Sequence, residues 1–145
     1  MSDVLTDYEQ DFYQWSRVQA TLLRQGRLTE ADAANIAEEL ESMGRSDRRA
    51  LESHLNNVIL HLLKWRYRPQ RRGASWAVSI NNGRHSIARL LKDSPSLKLQ
   101  VAMLVQEEYP LARRNAVVET GLPPATLPEQ CPFTDDQILS DYWPD

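Results

Sequence analysis

The sequence predicts an all-α fold: a four-helix bundle-like single domain with a long second helix and a proline-rich C-terminal tail packed on the surface. Three observations predict it. Apolar residues recur at helical period along most of the chain. Serine, threonine, glycine and proline fall where helices start and stop. No segment sustains strand alternation, and no repeat of solenoid length is present. With 145 residues, 41% of them apolar, the chain suits one domain over 1–145, with a helical core at 1–121 and an irregular tail at 122–145 that holds one short helix.

The first helix is expected over about residues 7–25. Tyr8, Phe12, Trp15, Leu22 and Leu23 form one stripe, interrupted by Gln19. Thr6 and Glu9 have capping-box spacing, and Gly26 is placed to end the helix in a left-handed conformation. Thr29 and Asp32 repeat the start signature. A long run follows: Ile36, Leu40 and Met43, then Asp47, then Leu51, Leu55, Val58, Leu62 and Trp65. Its steps of four and three describe the seam of a helix packed against near-antiparallel neighbours. One helix over about 30–67 is expected, kinked near Gly44, with two helices broken at Gly44 as the alternative; Pro69 prevents much extension.

Gly73 and Ser75 open a third segment, where Trp76, Ile80, Ile87 and Leu91 share a face weakened by Asn81-Asn82-Gly83. Ser94-Pro95 marks a fourth start. Leu97, Val101, Leu104, Glu108, Leu111, Asn115 and Val118 keep helical phase as far as Gly121, with Pro110 expected to kink or split the run. Pro123, Pro124, Pro128 and Pro132 make the tail irregular, and Thr134 with Gln137 opens a last short helix.

Composition narrows the function. Charged residues make up 26% and formal net charge is −3, which excludes a fibre, a polycation and a wholly disordered chain. Cys131 is the single cysteine, so no internal disulfide can form, and its neighbours offer no base to activate it. The first residues are acidic where a secretory signal is basic, and no stretch nears the ~20 apolar residues of a membrane helix. The expected location is therefore the cytoplasm.

Several blocks together resemble the bacterial domain-of-unknown-function family 29. They are Tyr8-Glu9-Gln10-Asp11-Phe12-Tyr13-Gln14-Trp15, Asn35-Ile36-Ala37-Glu38-Glu39-Leu40-Glu41-Ser42-Met43-Gly44 and His61-Leu62-Leu63-Lys64-Trp65. Later blocks agree too: Arg71-Arg72 with Ser75-Trp76, Glu119-Thr120-Gly121-Leu122-Pro123, and Cys131-Pro132-Phe133. The resemblance implies a small helical domain of bacterial origin. It supplies no catalytic residue.

Charge layout is the main functional signal. No acid lies between Glu52 and Asp93, whereas Lys64, Arg66, Arg68, Arg71, Arg72, Arg84, Arg89 and Lys92 do. The rest of the chain has 9 bases against 20 acids. Three readings are open for segment 64–92. It can bind nucleic acid or another polyanion through Lys64, Arg66, Arg68, Arg71, Arg72, Arg84 and Arg89, with Tyr67 or Trp76 stacking on a base. It can meet an acidic patch on a protein partner or on a second copy of this chain. It can also be a solvated edge neutralised by Glu38, Glu41, Glu107 and Glu108, with bases favoured by the helix C-terminus.

A catalytic reading is weaker. His54 and His61, seven residues apart, lie about 10 Å from each other along a helix, too far to share one ion. No HExxH or ExxH spacing occurs. A polar rail of Asp32, Glu39, Asp47, His54, Asn57 and His61 flanks the apolar stripe, so His54, His61 and Glu39 are the candidates for acid–base or metal-dependent chemistry. The expectation is a non-catalytic protein-interaction module, self-associating or bound to a protein partner. No cofactor, metal site or membrane contact is expected.

Overall fold

The computed structural model describes residues 8–145. The described part holds five α-helices and no strand: α1 (Phe12–Arg24), α2 (Ala33–Tyr67), α3 (Ala74–Asp93), α4 (Val101–Thr120) and α5 (Asp135–Leu139). The fold is all-α and bundle-like. The chain divides into two compact units at Ser46/Asp47, and α2 contributes residues to both.

In the N-terminal unit, α1 starts later than the sequence predicts. Its cap is Asp11, whose side chain accepts from the Gln14 amide at 3.0 Å. Thr6 lies outside the described residues. The C-terminal end is as expected. Gly26 has φ +72°, the Gly26 amide bonds to Leu23 and the Arg27 amide to Leu22, which is a Schellman motif. Trp15, Gln19 and Leu22 are the buried residues of α1. Trp15 Nε1 donates to Asp32 Oδ2 at 3.1 Å, and the Asp32 amide donates to Gln19 Oε1 at 2.7 Å.

Asp32 also caps α2, accepting from the Asn35 amide at 3.3 Å and the Asn35 side chain at 2.8 Å. The cap is thus Asp32 rather than Thr29. The Asn35 side chain above all, with Trp15 adding to it, holds the Asp32 carboxyl below its usual range against desolvation. Helix α2 is unbroken at Gly44. Leu40 and Met43, read from the sequence as part of a buried seam, are each 64% exposed.

The C-terminal unit has one core. Leu51, Leu55, Val58, Ile59, Leu62 and Leu63 of α2 meet Ile80 and Ile87 of α3, Val101, Leu104, Val105 and Tyr109 of α4, and Leu127, Phe133 and Ile138 of the tail. Asn81-Asn82-Gly83 does not interrupt α3. At Gly83, α3 packs tightly against α2: a Cβ there would stand 2.5 Å from Val58 Cγ2. Pro95–Gln100 forms a 3-10 turn rather than the start of α4. Pro110 is accommodated inside a single α4.

Leu97, Val101 and Leu104 are buried as predicted, but beyond them the buried face of α4 departs from the predicted one. Leu111 and Val118 are exposed, while Tyr109, Ala112 and Ala116 are buried. The apolar character of Leu111 and Val118 set the sequence phase, but beyond Leu104 the buried face uses Tyr109 and two alanines.

The tail does more than cover the bundle. An irregular, proline-rich segment leaves carbonyls without helical partners, and buried carbonyls need donors. Arg113 supplies them to Pro124 and Leu127 at 2.8 and 3.0 Å, and to Pro128 at 3.0 Å. Tyr109 adds a hydroxyl bond to Pro128 O at 2.5 Å. Further on, Thr134 and Gln137 form the expected capping box at the start of α5.

Candidate functional site

Bases and aromatics alternate where α2 ends, because cations are favoured against the carbonyl end of a helix dipole. A 3-10 turn, Pro69–Arg71, then carries the chain toward α3. The candidate basic residues fall into two groups.

One group is used internally. Lys64 is buried, with Nζ 2.6 Å from Glu119 Oε1 and 4.8 Å from the Trp76 ring centre. Arg72 donates from Nε to the Trp65 carbonyl at 2.6 Å, and its guanidinium lies 5.3 Å from the Trp65 ring centre. Arg84 is buried and holds the C-terminus: Nε donates to Ile138 O at 2.9 Å, and Nη2 to Gln137 O at 2.8 Å and Tyr142 O at 2.7 Å. Burial pushes the Arg84 pKa below its usual value, and Asp141 opposes that shift.

The other group faces outward. Arg66, Arg71 and Arg89 are exposed, and Arg68 is half-buried. The Arg66 guanidinium lies 5.5 Å from the Tyr67 ring centre. Lys92 is exposed as well. Trp65, Trp76 and Tyr67 are half-buried, and Trp65 packs against Trp143 with ring centres 4.7 Å apart.

His61 is half-buried, and its Nδ1 donates to the Asn57 carbonyl one turn back at 2.8 Å, which places the proton on Nδ1. Burial pushes its pKa below the ordinary value; the Asn57 bond opposes this, Lys64 adds to it and Glu119 opposes it. Glu39 belongs to the N-terminal unit, where it accepts from the Tyr8 hydroxyl. That bond is the main cause that pushes the Tyr8 phenol up to about 12. His54, on α2, lines a hollow with Arg89 of α3.

Sequence reasoning missed the arginine clamps on the tail. A signal was available: four prolines within residues 122–133 imply unpaired carbonyls, and Arg113 follows Tyr109 by one helical turn. It also missed Ser86 and Asp93, which share the hollow with His54 and Arg89. Cys131 is half-buried, and burial above all pushes its thiol pKa up.

Among the described residues, no three His, Cys, Asp or Glu side chains gather so as to hold a metal ion. No helix among them is long and apolar enough to cross a membrane.

Comparison with curated proteins and with solved structures gives no match. The family described as Domain of unknown function DUF29 matches residues 8–144, nearly the whole chain, and the chain belongs to that family.

Proposed function

We propose that the chain is a non-catalytic interaction module that pairs with a second copy of itself through its N-terminal unit. One observation carries this reading. Among the described residues of that unit, Trp15 and Leu22 are the buried apolar side chains, whereas Phe12, Tyr13, Leu23, Leu28, Leu40 and Met43 are exposed. So small a core is marginal by itself, and apolar surface of this extent marks contact with a partner.

Charge favours a second copy as that partner. Residues 1–46 carry 4 bases and 9 acids, while residues 47–145 carry 13 bases and 11 acids. The acidic flank of Leu40 and Met43, with Glu41 exposed beside them, complements the outward bases Arg66 and Arg71 of another copy. Sedimentation velocity on the full chain tests it. The expected result is concentration-dependent dimerisation, weakened by salt and by Leu40→Glu. A dimer indifferent to Leu40→Glu, or no dimer, contradicts it.

A second reading has its own observation. Arg66 and Arg71 are exposed and form no ion pair among the described residues, and the Arg66 guanidinium lies over the Tyr67 ring, an arrangement suited to a phosphate backbone. Salt-sensitive binding of RNA or DNA, lost when both arginines become glutamine, supports it; no binding at low salt removes it.

A further inference from the structure

We infer that the hollow between α2 and α3 is a binding site for a small zwitterion of the α-amino-acid kind. The inference is independent of self-association. The hollow measures about 240 Å³ and is lined by Ala50 and His54 of α2 and by Ser86, Arg89, Leu90 and Asp93 of α3. Spacings of three and four set the α3 residues on one face of their helix, and a spacing of four does the same for Ala50 and His54. The close approach at Gly83, one turn before Ser86, brings the two helices together there: a Cβ on Gly83 would lie 3.7 Å from the His54 carbonyl.

Several charged side chains elsewhere in this unit are engaged. Arg48 approaches Glu52 and Glu107, Lys64 pairs with Glu119, and Arg84 and Arg113 hold backbone carbonyls. Arg89 and Asp93, four residues apart and both on the hollow, form no ion pair with each other, and His54 and Ser86 make no side-chain hydrogen bond among the described residues.

The charges select the ligand. A simple anion facing Arg89 would also face Asp93, and a simple cation would also face Arg89. A molecule with both charges leaves neither unmatched. Its carboxylate takes the planar fork of Arg89, and its ammonium takes the Asp93 carboxylate. The Ser86 hydroxyl and the His54 ring add hydrogen bonds, while Ala50 and Leu90 offer apolar surface to a short side chain. The volume suits a molecule of a few heavy atoms and not a drug-sized one.

The test is an amide and side-chain NMR titration of the full chain with L-alanine as probe. Acetate and methylammonium serve as single-charge controls, and inorganic phosphate as a competing oxyanion. The expected result is saturable shifts confined to residues 50–54 and 86–93, with acetate and methylammonium each weaker by about tenfold or more. Arg89→Gln and Asp93→Asn should each weaken L-alanine binding by a similar factor, with the rest of the spectrum unchanged. Both positions are exposed, so the fold should persist in both variants. Shifts that fail to saturate, acetate or phosphate binding as tightly as L-alanine, or an Arg89→Gln chain that binds like the parent would each overturn the inference.

Discussion

The Cβ that Gly83 lacks would stand 2.5 Å from Val58 Cγ2, and Val58 is fully buried. Val58 is β-branched and stiff about χ1, so it cannot swing aside. Within a helix, alanine in place of glycine gains about 1 kcal/mol. Overpacking of this kind costs about 1–3 kcal/mol. Gly83→Ala should therefore destabilise the C-terminal unit by up to about 2 kcal/mol, read as a lower urea midpoint at unchanged slope. Gly44, also inside a helix, has nothing within 4 Å of its missing Cβ. Gly44→Ala should raise stability or helicity by up to about 1 kcal/mol. The two glycines thus predict opposite signs for the same substitution.

Arg84 is the donor that the C-terminal segment depends on. It serves the carbonyls of Ile138, Gln137 and Tyr142, and its guanidinium lies 5.6 Å from the Trp143 ring centre. Hydrogen bonds to a charged group are each worth about 1.5–3 kcal/mol. Arg84→Met should cost about 3 kcal/mol and free the segment after Thr134. Hydrogen exchange should speed up over residues 135–143 first, with α2 less affected.

Stability should fall on mild acidification, because burial holds the His61 imidazole below its ordinary value of 6.5. As pH drops through 6.5, the unfolded chain takes up a proton that the folded chain does not. The contribution is therefore fully present above 6.5 and lost progressively below it. Urea midpoints at pH 7.5 and 5.5 should differ more for the parent than for His61→Gln.

Cys131 should be a poor nucleophile. Burial above all raises its thiol pKa, with the Phe133 carbonyl contact opposing and Asp135 adding. Alkylation by iodoacetamide at pH 8 should run about tenfold slower in the folded chain than in urea. Equal rates would show that the half-buried thiol is open to reagent.

Helix identity was legible because periodicity and punctuation agreed. Gly26 and Gly121 both adopt the left-handed conformation that ends a helix, and Thr134 with Gln137 makes the capping box read from their spacing. Phase was less legible. The sequence ranks Leu111 and Val118 above Ala112 and Ala116, yet α4 buries the alanines, because close helix packing rewards small volume as well as apolarity. Gly83 read as a weakness of α3 for the same reason: its role is visible only beside Val58.

The basic segment was legible as charge but not as placement. Lys64 and Arg84 turn inward to Glu119 and to tail carbonyls that are remote in sequence. Leu40 and Met43 keep the spacing of a packed seam yet stand exposed, and spacing alone does not tell a covered position from an open one.

The molar mass of the full chain in solution tests the central proposal most directly. Light scattering coupled to size exclusion, across a hundredfold range of concentration, should move from the 16.7 kDa of one chain toward twice that value. Leu40→Glu with Met43→Glu should hold the mass at that of a single chain. A parent that keeps the single-chain mass at every concentration would contradict self-association through the N-terminal unit.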